Sequence, residues 1–418
     1  MAGLLMFHAV VLWLLEFVPS PELFINPYLV NHGWLPYAQI IDQHSPGLLF
    51  FPVNLASLGL ATPTLLKALL IGLVIFQSLW IYKISRSKWA VGLWTAWQLF
   101  FAGNNLWFDS FLAVLTLPAY WLWTQKKWLV TGLLLGTAVV IKQSILPLVA
   151  FVAVATWWQT RGIKSVLQLS LGVAIPTLLT ALYFFKLGVG SDFWYWLVTF
   201  SLTIYPVAGK LAPSLREFAW LAVPLGLFAL SAIRGKNKPL IGWALFSVLG
   251  GLSRYDRIHF QPALPFLALS LVQLPKKWLQ LTLIVSVVWV SLWYSKTAVW
   301  GGVRYFDPQT MKLVEEIKQR TQPGQKIFLL GTQPHLYVLT QTLPAGNVFA
   351  FHIPWILQIV QDRIWTGLVA DSPQLVVWDT SSRVGNVGIS ESAPKLVQYV
   401  VDNYQPVATV GANIIYQK

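Results

Sequence analysis

The stretch GWLPYAQIIDQHSPGLLFF, residues 33–51, is a polar loop between two strongly apolar segments of the chain. Its centre lies between two prolines and carries Tyr37, Asp42 and His44 within eight residues. Carboxylates and imidazoles are among the side chains that most often transfer protons in catalysis. The stretch therefore predicts a reactive loop at a bilayer surface, between the first and second membrane spans.

The composition indicates the class of protein. Of the 418 residues 56% are apolar and 11% are charged, and the mean hydropathy is +0.61. A soluble domain carries roughly 25% charged residues, so this chain reads as a polytopic membrane protein. The 23 tryptophans fit that class, because indole rings favour the membrane–water interfaces. The chain has no cysteine and offers neither disulfides nor thiolate metal sites.

The hydropathy pattern predicts an all-α polytopic membrane domain over residues 1–303, with about eleven transmembrane helices of about 20 residues or fewer. The predicted spans are residues 3–18, 65–82, 89–102, 106–123, 128–141, 145–158, 166–185, 218–233, 240–252, 262–274 and 278–299. A long first outer loop, residues 19–63, separates the first two spans. A second long loop covers residues 188–214 and contains the aromatic run FWYWL.

The basic residues set the predicted orientation. They gather in short segments that all fall on one side if the spans alternate: KISRSK at 83–88, QKK at 125–127, RGIK at 161–164, RGKNK at 234–238 and PKK at 275–277. Lysine and arginine are enriched in cytoplasmic loops, so the N-terminus is predicted to lie on the cytoplasmic side. The net charge of +14 is explained by this bias, and no nucleic-acid partner is predicted.

A different pattern begins at about residue 304. Asp307 and Pro308 mark the start of an amphipathic helix, and KIFLL at 326–330 reads as a buried strand. The helix PHLYVLTQ, the strand QLVVWD, the helix APKLVQYVVDNY and the strand NIIYQK follow in turn. Alternating strands and helices predict a small C-terminal extracytoplasmic α/β domain, residues 304–418, with a partly parallel sheet.

Ionisable residues near a membrane are costly, so they are often functional or paired. On the predicted topology several lie on the outer face: Glu22, Asp42, His44, Asp109, Lys142, Arg254, Asp256, Arg257 and His259. A structural role is the alternative for each kind of residue. Asp109 would cap a helix or pair with Lys142, and the two histidines would form interfacial hydrogen bonds. The two arginines would lie in a solvated loop.

The chemistry that suits this set is group transfer from a phosphate-linked carrier. A carboxylate would take the proton of an acceptor hydroxyl, and cations would hold the departing phosphate. Lys67, just inside the second span, is predicted either to contact phosphate or to extend to the membrane surface. No cofactor is predicted. The carboxylates and histidines lack the compact spacing of a metal site, although a divalent metal stays an open alternative.

Four motifs stand out along the chain: PYLVNHGWLPYAQIIDQHSPG in the first loop, Lys142-Gln143 after the fifth span, SRYDRIHFQPALPFLAL before a late span, and GTQPHLYVLTQTLPAGNVFAFHIPW near the C-terminus. Together they resemble the GT-C glycosyltransferases, closest to the branch of the protein mannosyltransferases and the aminoarabinose lipid A transferase (glycosyltransferase 39-like). The resemblance covers most of the chain. It implies a location in the plasma (inner) membrane of a prokaryote, a polyprenyl-phosphate sugar donor, a lipid, glycan or protein acceptor, and inversion at the anomeric carbon.

The resemblance also implies an acidic catalytic residue in the first outer loop. Many members have an Asp-Glu pair there, whereas this chain has Pro21-Glu22. Glu22 is therefore the first choice for the base, Asp42 the alternative, and Glu16 a third candidate. Donor- or acceptor-binding roles fall to the remaining candidates: Tyr37, His44, Lys67, Asp109, Lys142, Gln143, Arg254, His259 and His352.

Two other functions compete with this interpretation. A transporter or lipid flippase would place charges near the bilayer midplane and often shows repeated halves. This chain has its polar groups at span ends and shows no internal repeat. A non-catalytic assembly protein of cell-envelope polysaccharide synthesis would use the outer α/β domain to bind a partner.

Overall fold

The computed structural model describes residues 1–235, 237–384 and 386–418. Lys236, inside the basic segment 234–238, lies outside the described residues. Up to residue 297 the described chain is almost entirely helical. Its helices are α1 (Ala2–Leu14), α2 (Glu22–Asn31), α3 (Pro63–Ser85), α4 (Lys88–Phe100), α5 (Phe108–Thr124), α6 (Trp128–Ile141), α7 (Leu146–Thr160), α8 (Ile163–Lys186), α9 (Gly190–Trp194), α10 (Ser201–Thr203), α11 (Tyr205–Ala208), α12 (Leu215–Arg234), α13 (Lys238–Val248), α14 (Leu264–Leu271) and α15 (Lys276–Thr297).

Each predicted span coincides with one of these helices. The local sequence explains two of the boundaries. The Thr62 side chain caps α3, and Ser214 and Glu217 form a capping box at the start of α12. Among the described helices, α3, α8, α12 and α15 are long and apolar enough to cross a membrane. The chain is thus a membrane protein with four candidate spans, and the count of eleven stays a prediction.

Glycines bring α6 and α8 into close contact. A Cβ added at Gly132 would overlap the carbonyl of Leu169, and one at Gly172 would overlap the carbonyl of Leu129. Small residues allow helix backbones to approach closely, which is a common way to pack helices in membranes. The contact fixes α6, and the C-terminal end of α6 leads directly into Lys142.

Three two-residue strands lie in the loops between the helices: β1 (Val18–Pro19), β2 (Ile40–Ile41) and β3 (Asn105–Leu106). The C-terminal region then contains α16 (Pro308–Lys318), β4 (Lys326–Leu330), α17 (Leu336–Thr340), β5 (Leu343–Pro344), β6 (Phe349–Ala350), α18 (Pro354–Asp371), β7 (Leu375–Asp379), β8 (Arg383–Val384), β9 (Val387–Gly388), α19 (Ile389–Ser392), α20 (Pro394–Asn403), β10 (Gln405–Val410) and β11 (Asn413–Gln417).

Five of these strands form one mixed sheet in the order β10-β11-β7-β4-β5. Strands β5, β4 and β7 are parallel, whereas β7, β11 and β10 are antiparallel. The partly parallel α/β sheet is the arrangement that the sequence predicts. Helix α18 and strand β10 belong to this region and were not predicted. The boundary at residue 304 and the extracytoplasmic side stay predictions.

The loop between α1 and α3 is tied to the C-terminal region. Strand β2 pairs in parallel with β6, with Ile40 opposite Phe349 and Ile41 opposite Ala350. The backbone N–H of Phe349 also donates to the carbonyl of Gln39 at 2.7 Å, and Arg363 donates to the carbonyl of Ala38. The polar loop is therefore held in place from outside the helix bundle.

Candidate functional site

Three ionisable side chains from distant parts of the chain meet at one end of the bundle. The Lys142 ammonium donates to Asp109 Oδ2, and His259 Nδ1 lies 3.0 Å from the same oxygen and 3.1 Å from Lys142 Nζ. Asp109 and Lys142 are 2% and 7% exposed, so the ion pair is buried. We call these three residues the charged triad. Its members satisfy one another, which a buried charge requires.

Local structure explains how each member of the charged triad reaches this point. Asp109 lies in the first turn of α5, where a carboxylate is favoured by the helix dipole. Lys142 is the residue at which α6 ends. His259 belongs to a 3₁₀ helix, Arg257–Ala263, whose first turn is capped by Asp256 accepting from Ile258 N–H at 3.1 Å. Three helix ends thus converge.

The polar loop forms a second cluster around Asp42. Its Oδ1 accepts from the backbone N–H of His44 at 2.8 Å and lies 2.7 Å from His44 Nδ1, and its Oδ2 accepts from Asn26 Nδ2 at 2.6 Å. The His44 ring stacks on Phe108, with ring centroids 4.8 Å apart. Both Asp42 oxygens are therefore engaged, and His44 Nε2 is the ring nitrogen turned away from the carboxylate.

Glu22 lies at the start of α2 and is 8% exposed. The Ser20 hydroxyl donates to its Oε2, and no described residue donates to its Oε1. Burial raises the pKa of Glu22 above its ordinary 4.5, and Asp42 adds to this, while His44 and the Ser20 hydroxyl oppose it. Glu22 therefore combines a free carboxylate oxygen with a pKa moved towards neutrality.

The histidine of the loop responds to both clusters. Burial lowers the pKa of His44, but the carboxylates of Asp42 and Glu22 outweigh it, so the pKa is raised above 6.5. The charge of Lys142 acts in the opposite direction. His44 thus interacts electrostatically with both loop carboxylates and with Lys142 of the charged triad.

Gln143 connects the two clusters through the hydrogen bonds of its side chain. Its Oε1 accepts from the Ser45 backbone N–H at 3.2 Å and from the Ser45 hydroxyl at 2.9 Å, and its Nε2 donates to the Gln43 carbonyl at 2.8 Å. The residue before it is Lys142. One residue pair at the end of α6 therefore carries the ammonium and holds the segment that contains His44.

The other predicted site residues lie further out. Tyr37 is fully buried and donates to the His44 carbonyl at 2.8 Å, and burial raises its pKa well above 10. Lys67 Nζ donates to the carbonyls of Trp13 and Leu15 at 2.7 and 3.0 Å, so its ammonium caps the end of α1. The structure does not bring Lys67 into the charged triad.

Arginines 254 and 257 pack on aromatic rings beside the triad. The Arg254 guanidinium donates to the Gly209 carbonyl at 3.0 Å and lies 4.9 Å from the centre of the Trp355 ring. Arg257 lies over Trp293 at 4.6 Å. Cation–π contact with a planar guanidinium leaves donors free for a ligand.

Two further candidates, the carboxylate of Glu16 and the imidazole of His352, lie outside both clusters. Glu16 pairs with Arg304 at 2.8 Å, in an exposed ion pair. His352 lies in the C-terminal region, where its Nδ1 accepts from the Gly331 N–H at 2.9 Å. Sequence reasoning missed Asn26 and Ser20, which hold the two loop carboxylates. The sequence does contain a signal for the helix that carries Asn26. Pro21 directly before Glu22 indicates a helix start, because proline is favoured at the beginning of helices.

The arrangement suits proton transfer by a loop carboxylate together with charge stabilisation by a buried cation. The loop offers a carboxylate with a free oxygen, and the triad offers an ammonium and an imidazole. Within the ranges that the structure describes, no group of three or more histidine and acidic side chains has the geometry to hold a metal ion.

Gln143→Ala is expected to loosen the polar loop without unfolding the bundle. It removes three hydrogen bonds to residues 43 and 45, each contributing about 1 kcal/mol. Hydrogen exchange should accelerate for the amides of residues 42–45. Gln143→Glu is a comparison variant: it keeps an acceptor for Ser45 but replaces the donor to Gln43 with a carboxylate oxygen, so the amides around residue 43 should be affected more than that of Ser45. Unchanged exchange in Gln143→Ala would contradict the bracing role.

Comparisons with known proteins bear on the fold. No protein-family model matches the sequence, and no curated protein is significantly similar to it. Among solved structures, the cryo-EM structure of arabinofuranosyltransferase AftD from Mycobacteria is similar, with a TM-score of 0.53 and 12% sequence identity. The match covers 100% of this chain and 39% of that one, so this chain spans about two fifths of its length. The likeness shows that the two proteins share a fold over the length of this chain.

Proposed function

We propose that the protein is an integral membrane glycosyltransferase of the GT-C type. It moves a sugar from a polyprenyl-phosphate donor to an acceptor hydroxyl on the extracytoplasmic face, with inversion. The observation that carries the proposal is that the loop carboxylate Glu22 and Lys142, a member of the buried charged triad, both act electrostatically on His44. The GT-C-like fold supports it.

Glu22 is the base in this proposal. Both oxygens of the alternative, Asp42, already accept hydrogen bonds from Asn26 and His44, so Asp42 orients the loop. Glu22 Oε1 accepts from no described residue. It takes the acceptor's hydroxyl proton while the hydroxyl oxygen attacks the anomeric carbon. The bond from that carbon to the phosphate oxygen breaks, and its electron pair leaves with the phosphate.

The charged triad receives the leaving phosphate. Negative charge builds on the bridging oxygen as the bond breaks, and a preorganised cation is most effective where charge develops. Lys142 has three donor hydrogens, and the triad members use two of its directions. Asp109 keeps the ammonium in position. Arg254 lies at the edge of the site. Its charge acts on Tyr205, and so does the charge of Asp109.

The pH dependence of transfer follows from the two raised pKa values. Glu22 must be ionised, so kcat/KM rises as pH climbs through its pKa, above 4.5. The imidazolium of His44 adds positive charge, and this aid is lost as pH climbs through its pKa, above 6.5. A bell-shaped profile is expected. In His44→Gln the alkaline limb disappears and the acid limb moves up, since His44 lowers the pKa of Glu22.

Purified protein with a polyprenyl-phosphate sugar and candidate acceptors tests the function directly. Mass spectrometry of lipid-linked sugars in a deletion strain identifies the donor, because an unused donor accumulates. Donor consumption with release of the lipid phosphate supports the enzyme. Movement of intact donor across vesicles without cleavage would instead establish the flippase alternative.

A further inference from the structure

The C-terminal sheet contains a crevice of a kind that often binds ligands. From β4 the chain passes through α17 to β5 on one side, whereas β7 leads to β11 and β10 on the other. Strands β4 and β7 are parallel neighbours, with Phe328, Leu329 and Leu330 opposite Val376, Val377 and Trp378. Connections that diverge in this way leave a crevice beyond the carboxyl ends of the two strands, where open α/β sheets bind ligands.

A cavity of about 220 Å³ occupies this crevice. Its lining includes the residues after β4, namely Gly331, Thr332 and Gln333, and the residues after β7, namely Ser382 and Arg383. At roughly 30 Å³ per water molecule the cavity holds about seven waters, which is the scale of one monosaccharide. Gly331 has a φ of +71°, and a Cβ there would lie 2.9 Å from Ser382 Cβ. Glycine therefore keeps the entrance open.

The polar groups of the lining are mostly donors. The Gly331 N–H donates to His352 Nδ1 at 2.9 Å, so the neutral ring carries its proton on Nε2. Burial keeps the pKa of His352 at about 4, which maintains that neutral form. The backbone N–H groups of Thr332 and Gln333 find no acceptor among the described residues. Successive free N–H groups after a left-handed residue favour anions.

Charge in the lining agrees with this donor pattern. Arg383 contributes a guanidinium, and Ser382 and Thr332 contribute hydroxyl groups. The residues that line the cavity in the described part of the chain include no aspartate or glutamate. A site with donors and one cation, and without a carboxylate, is complementary to a ligand rich in anionic oxygens.

We propose that this crevice is a binding site for a monosaccharide-sized ligand that carries a phosphate or carboxylate group. Arg383 and the N–H groups after Gly331 bind the anionic group, and His352 Nε2–H donates to a ligand oxygen. The site is separate from the charged triad. It does not depend on the proposed transferase activity, because binding is measurable without turnover.

The crevice shares a wall with the polar loop. Residues Phe349 and Ala350 of β6 line the cavity, and the same two residues pair with Ile40 and Ile41 of β2. Asp42 follows Ile41 directly. A ligand in the crevice thus lies against the strand that holds the loop, and hydrogen exchange of residues 40–44 should slow when it binds.

Calorimetric titration of the full-length protein in detergent tests the proposal with three probes: glucose 1-phosphate, glucuronate and glucose. Binding of either anionic probe with at least tenfold weaker binding of glucose is expected. Arg383→Gln should weaken the anionic probe roughly tenfold or more, since a charge-assisted hydrogen bond is lost. The stronger of the two anionic probes identifies the source as a sugar phosphate or a sugar acid.

Lys395→Gln is the matched control. Lys395 pairs with Asp362 on the surface of the same region, outside the cavity lining, and should leave binding unchanged. Thr332→Val provides a second, mild variant of the lining and should weaken the anionic probe without altering thermal unfolding. Equal affinity for all three probes, no binding of any, or unchanged affinity in Arg383→Gln would overturn the proposal.

Discussion

Glu22→Gln is expected to slow sugar transfer by roughly 10²–10⁴-fold, the range that a general base contributes. Glutamine matches the shape of glutamate and keeps an oxygen for the Ser20 hydroxyl, so the start of α2 should stay intact. It cannot accept a proton at its amide. The measurement is the single-turnover rate with saturating donor and acceptor, together with thermal unfolding to show that the variant folds.

Two matched variants distinguish the role of Glu22 from the roles of the other two carboxylates. Glu16→Gln removes the partner of Arg304 in an exposed ion pair and should leave the transfer rate near wild type. Asp42→Asn retains size but weakens the hold on His44, so it should accelerate hydrogen exchange in the loop as well as slow transfer. Full activity in Glu22→Gln, with loss confined to Asp42→Asn, would transfer the role of base to Asp42.

Lys142→Met is expected to lower the free energy of unfolding by about 3–5 kcal/mol, because it leaves a buried carboxylate without its cation. Asp109 is 2% exposed and keeps only His259 as a partner. The variant should also lose roughly 10²–10³-fold in transfer rate, the loss typical when one electrostatic stabiliser of developing charge is removed. Thermal unfolding in detergent and single-turnover kinetics measure the two effects.

The double variant Asp109→Asn with Lys142→Met distinguishes these effects. Removing both charges relieves the unpaired carboxylate, so stability should return in part while transfer stays slow. Lys164→Met is the control, since that lysine is exposed at the opposite end of the bundle. A double variant no more stable than Lys142→Met would contradict the view that the unpaired charge causes the instability.

The helices were largely predictable because long apolar runs leave little choice. Helix α6 runs from Trp128 to Ile141 and strand β4 from Lys326 to Leu330, as the pattern of apolar residues predicts. Helix α2 was not predicted, because Pro27 lies inside it and the apolar runs on either side, LFI and YLV, are each only three residues long. Helix α18 was not predicted, because its apolar residues are spread around the helix and form no clear stripe.

The residues of the candidate site could be predicted from the sequence, but their spatial arrangement could be predicted only in part. The pairing of Asp109 with Lys142 follows from their positions at neighbouring helix ends, which the predicted spans already bring together. The role of Asn26 depends on helix α2, which was not predicted. The position of His352 depends on its hydrogen bond with the Gly331 N–H after β4, a contact that no sequence pattern indicates. Two-residue strands such as β2 and β6 carry no periodicity that a sequence can reveal.

The pairing of β2 with β6 has a consequence for biogenesis. Ile40 and Phe349 are partners in that pairing, yet they lie at opposite ends of the polypeptide. At about 5–20 residues per second, the ribosome adds the second partner roughly 15–60 s after the first. During that interval the nascent chain holds its first loop without the neighbouring strand. The loop is therefore completed only after the helices up to Thr297 have been made, and a chain terminated before Phe349 would insert those helices without ever forming the β2–β6 pairing.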